Sequence, residues 1–73
     1  MSLTPEEWLR TVASWEEDAR IAEATITEVF EDAAMLRERG HDFPAEVMEH
    51  HARKAQEIID DARADLQKAV DGD

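Results

Sequence analysis

With 73 residues the chain has room for one small domain and one core, and the absence of cysteine removes both a disulfide framework and a thiolate metal site as ways to staple it. Nineteen acidic against eight basic residues give a formal net charge of −11, which repels nucleic-acid phosphate and anionic lipid alike. No run reaches the ~18 apolar residues of a membrane span, and the opening MSLTPEEW lacks the basic and apolar regions of a signal peptide, so a cytoplasmic location is expected.

The first helix announces itself at Thr4-Pro5-Glu6-Glu7. Thr4 can cap a free amide, Pro5 suits the first helical position because the N–H it lacks would have no partner there, and Glu7 completes a capping box. From Trp8 onward apolar residues fall at Val12, Trp15, Ala19, Ala22, Ile26, Val29, Ala33 and Leu36, alternating steps of four and three. That heptad spacing draws a stripe along one side of a helix and asks for a partner helix. The spacing predicts one continuous helix over about 5–39, roughly 50 Å long at 1.5 Å per residue. Ser14-Trp15-Glu16-Glu17 repeats the capping-box pattern and marks the one place where that helix would break.

Gly40-His41-Asp42-Phe43-Pro44 is the interior turn signal, with the turn expected over 40–43. Gly40 suits a left-handed C-cap, Asp42 or Phe43 stands at the next cap, and Pro44 fits the first position of a second helix over about 44–70. The apolar side of that helix reads Val47, Met48, His51, Ala55, Ile58, Ile59, Ala62, Leu66 and Ala69, and Asp71-Gly72-Asp73 is expected to fray. A loop this short makes the helices antiparallel neighbours, so residues 1–73 are expected to form one all-α, coiled-coil-like hairpin. Folding back sets Ala55 near Val29, Ile58 near Ile26 and Ala62 near Ala22, with Trp8 and Leu9 beyond the partner's end. The alanines of both helices predict a close approach.

Leu9, Ile21, Phe30 and Met35 lie off that stripe. Together with Trp8, Trp15 and Ile26 they are the expected partner or oligomer interface, and a homo-oligomer such as a four-helix-bundle dimer is the expected assembly. The exposed acids are the second candidate surface. Glu16, Glu17 and Asp18 of the first helix come to the same end as Asp60, Asp61 and Asp65 of the second, a docking surface for a basic partner protein or a mimic of the DNA phosphate track. A solvated face that keeps the chain soluble is the plain alternative.

A metal reading stands beside these. Glu28, Asp32, Glu49, His50 and His51 combine carboxylates and imidazoles as a non-thiolate Fe or Zn site would, in an oligomer of ferritin-like type. The Glu-x-x-His motif of ferritin-like bundles is absent, because Val47 and Met48 stand three residues before His50 and His51. His51 falls in the apolar side and is expected to be semi-buried against a carboxylate such as Asp32, in a place where it could also make an interface pH-sensitive. No catalytic residue and no cofactor are expected, since the few hydroxyls lack a nearby histidine on the same helix face and no glycine-rich loop could cradle phosphate. The functional expectation is a small acidic regulatory or interaction module.

Overall fold

The computed structural model describes residues 3–71, which form two helices, α1 (Pro5–Glu38) and α2 (Asp42–Val70), folded into an antiparallel all-α hairpin. The helix start is the expected capping box. Thr4 Oγ1 accepts from the Glu7 amide at 3.2 Å and the Thr4 amide donates to Glu7 Oε1 at 3.4 Å. Helix α1 then runs unbroken past Ser14 for 34 residues.

It ends in a Schellman turn. Gly40 takes φ +86°, the His41 amide donates to the Leu36 carbonyl at 2.9 Å, and the Gly40 amide donates to the Arg37 carbonyl at 3.1 Å. Helix α2 begins two residues earlier than expected, with His41 at the N-cap and Asp42, rather than Pro44, at the first helical position. The physical reason is that the first three amides of a helix have no intrahelical acceptor, so proline is tolerated throughout that turn. The first amide to find one is that of Ala45, 3.3 Å from the His41 carbonyl. The turn is correspondingly shorter, and Asp71 follows the end of α2; Gly72 and Asp73 of the expected frayed end lie outside the described residues.

The seam is built from small residues. Ala19, Ile26 and Ala33 of α1 are buried against Ala45 and Ala52 of α2, with Val12, Ile59 and Leu66 half-buried along the same lines. Alanines at the centre let two backbones approach closely. The α2 line therefore reads Ala45, Ala52, Ile59 and Leu66, which corrects the expected apolar side: Val47, His51, Ile58 and Ala69 are exposed, and Ile58 does not pack on Ile26. In α1, Ala22 is likewise exposed, whereas Trp8, expected beyond the partner's end, is half-buried. The result is a rod of 53 × 19 × 19 Å with a radius of gyration of 16.6 Å, against about 11 Å for a compact domain of this length. Among the described residues no helix is long and apolar enough to cross a membrane.

Candidate functional site

Each helix has three rows of residues bearing on the seam. The inner row (Val12, Ala19, Ile26 and Ala33; Ala45, Ala52, Ile59 and Leu66) points at the other helix. Stepping four residues forward along either chain reaches a row on one side of it, and stepping three reaches a row on the other. Because the helices are antiparallel, the plus-four rows of both lie on the same side, and so do the plus-three rows.

The plus-four rows, Leu9, Glu16, Glu23, Phe30 and Arg37 on α1 and Glu49, Gln56, Arg63 and Val70 on α2, are polar at six of nine positions, and polar side chains bridge the seam on this side. Arg63 is its centre: Nε donates to Glu16 Oε1 at 3.1 Å, while Nη1 and Nη2 grip the Glu23 carboxylate at 3.2 and 3.0 Å. Gln56 Nε2 donates to the same carboxylate at 2.7 Å and to Asp60 Oδ1 at 3.0 Å, and Asp60 stands 3.9 Å from Arg63. Near the turn, Arg37 pairs with Glu49. A bidentate guanidinium–carboxylate contact favours both charged forms, so the Arg63 and Gln56 donors hold Glu23 below the ordinary glutamate range. The hydrogen bonds that Arg63 donates to Glu23 and Glu16 raise it still further above the range in which it could lose its proton. The Arg63 guanidinium carbon also lies 5.8 Å from the Trp15 ring centre, within cation–π reach.

The plus-three side is apolar and open. Its rows are Trp8, Trp15, Ala22, Val29 and Leu36 on α1, and Met48, Ala55, Ala62 and Ala69 on α2, nine positions without one charge. Between them runs a groove of about 340 Å³, lined by Ile26, Val29, Met48, His51, Ala52 and Ala55. Ile58, 68% exposed, stands on its α2 rim seven residues beyond His51.

The sequence-predicted surface residues divide accordingly. Leu9, Ile21 and Met35 are exposed, Trp8, Trp15 and Phe30 are half-buried, and Ile26 is consumed by the intramolecular seam. Of the acids, Glu17, Asp18, Asp61 and Asp65 are exposed without a cross-helix partner among the described residues, whereas Glu16 and Asp60 are drawn into the Arg63 cluster. The metal set does not assemble: among the described residues no three of His, Asp and Glu are grouped to hold an ion, and Glu49 is taken by Arg37. His51 is exposed rather than semi-buried, its ring edge-on to that of His50 at a centroid distance of 5.7 Å. Three threonines spend their hydroxyl protons on their own helix, Thr11 to Glu7, Thr25 to Ile21 and Thr27 to Glu23 carbonyls.

Sequence reasoning passed over Arg63 and Gln56 entirely. Their signal is positional: each stands four residues after an inner-row residue, Ile59 and Ala52, and is matched on α1 by Glu16 and Glu23 in the corresponding row. No family model, curated protein or solved structure matches the chain.

Proposed function

We propose that this protein is a small acidic interaction module, regulatory rather than catalytic, that works through its outer surfaces by self-association and by binding a partner protein. One observation carries this reading: the side chains are sorted inside out by size. Among the described residues four of the five buried ones are alanines, while Leu9, Ile21, Met35, Val47 and Ile58 stand outside. Large apolar side chains at interface positions are what association buries. The hairpin exposes 5743 Å², about a quarter more than the ~4,600 Å² of a compact protein of 8.3 kDa. The uncompensated acids Glu17, Asp18, Asp61 and Asp65 add long-range attraction for a basic partner protein.

Chemical cross-linking in cells followed by capture of the tagged full chain tests it. The expected product is a discrete complex with a basic protein that reforms from purified components and weakens as salt is raised from 0.05 to 0.5 M. Recovery of the chain alone, or of a complex indifferent to salt, removes the basic partner from the reading.

A further inference from the structure

We infer that a second copy of this chain covers the open face, so that two hairpins pack as the two layers of a four-helix bundle. This rests on the reading of the protein as an interaction module and names its first partner.

The directions of the apolar stripes carry the inference. On α1 the heptad stripe consists of the inner row together with the plus-three row, from Trp8 to Leu36, and on α2 it runs Ala45, Met48, Ala52, Ala55, Ile59, Ala62, Leu66 and Ala69. Two rows about 50° apart put the midline of each stripe about 25° away from the facing helix. Both midlines are turned to the same side, the side of the groove. Two helices folding for themselves alone would aim their stripes at each other. Helices in a four-helix bundle aim theirs at a shared axis, which here lies outside the hairpin. Ile58 and His51, one row further out on α2, extend the same face.

Charge and area choose the occupant. A chain of net charge −11 meets its own copy at a cost that falls when the contact itself carries no charge: the nine plus-three positions hold none, with Asp18, Asp32, Arg39 and Asp65 only at their borders, whereas five of the nine plus-four positions are charged. The hairpin is 53 by 19 Å in outline, large enough on one side to supply the ~800 Å² that each partner contributes to a stable interface. A lone peptide helix, about 10 Å across, covers half of that width. A second hairpin matches it in length and width and buries its own half-core in the same step.

Sedimentation equilibrium on the full chain tests the inference, with Ile58→Asp on the open face and Leu9→Asp, 58% exposed in the plus-four row of α1, as the control. The expected result is a mass of twice 8.3 kDa for the unsubstituted chain and for Leu9→Asp, and dimer affinity weakened about 100-fold or more for Ile58→Asp. A monomeric unsubstituted chain, or a dimer that Leu9→Asp breaks and Ile58→Asp does not, overturns it. Should Ile58→Asp lose its helices on dissociating, thiol labelling decides, because the chain has no cysteine of its own. Ile58→Cys should react at least tenfold more slowly than Leu9→Cys at high concentration and match it on dilution; equal rates at all concentrations overturn the inference. A monomer that still captures a basic partner defeats the second copy and leaves the interaction module standing, whereas a dimer that captures nothing does the reverse.

Discussion

The two long faces of the hairpin flank the same seam, three residues to one side and four to the other, and they finish it differently. On the plus-four side Arg63, Gln56, Glu23 and Glu16 close over the seam with cross-helix hydrogen bonds of 2.7–3.2 Å. On the plus-three side Val29, Met48 and Ala55 leave it open as a groove. Ion pairs at a water-exposed edge add little stability, but they terminate an apolar surface and fix how the helices sit against each other. An apolar row with no polar edge terminates nothing. The difference teaches that the apolar surface of this protein is terminated on one side of the seam and left open on the other.

Neighbouring substitutions on the two faces test that contrast most sharply. Ala55→Glu can carry its carboxylate to water through the open groove of a single hairpin, so its cost should fall mainly on association, a loss of about 100-fold in dimer affinity. Gln56→Glu, one residue on, adds a like charge beside Glu23 and Asp60 and should lower stability slightly while sparing association. Light scattering across a dilution series separates the two; equal effects would erase the distinction between the faces.

Ile26→Ala strikes the seam beneath both faces. Ile26 is the largest of the five buried residues, and its truncation should cost about 2–4 kcal/mol, read as a drop in urea midpoint. Gly40→Ala acts on the turn alone. The space around its Cα is empty, so the expected loss of about 1–2 kcal/mol comes only from the positive φ, and the groove should be unchanged. A loss as large as that of Ile26→Ala would place tertiary contacts where none are seen.

Acid should have the smallest effect and should act on the closed face. Glu23 titrates below the ordinary glutamate range in the folded chain. Its clasp therefore stabilises the fold above the unfolded-state value, and that contribution is lost as pH falls through the depressed folded value. Arg63→Gln should flatten this part of the stability profile between pH 5 and 2 and leave the dimer intact. An undiminished slope in that variant would detach the acid response from the clasp.

Most of the fold was legible in the residues. Thr4 and Glu7 announce the first turn of α1, Gly40 its end, and the unbroken four-three spacing overrides the second capping pattern at Ser14 because one stripe passes through it. Pro44 misled by two residues, since an amide-free residue fits any of the first three helical positions. The candidate surface was legible only in part. Leu9, Ile21 and Met35 were read correctly as outward, yet His51 and Ile58 were read as seam because they belong to the apolar side of α2. They do belong to it, but that side is not the one that touches α1.

The sequence by itself determined two helices, their caps, the turn between them and the apolar stripe on each. Those are local matters, fixed by steric demands at caps and turns and by a period of 3.6 residues. Only the tertiary structure decided where each stripe points, because a period gives the angle between residues of one helix and says nothing about the angle between two. That angle was set by Ala19, Ala33, Ala45 and Ala52 meeting closely at the centre and by Arg63 closing one edge. Close approach of small side chains and a bidentate ion pair both require residues distant in the chain to arrive together, and that meeting turned Val29, Leu36, Met48 and Ile58 to the open side.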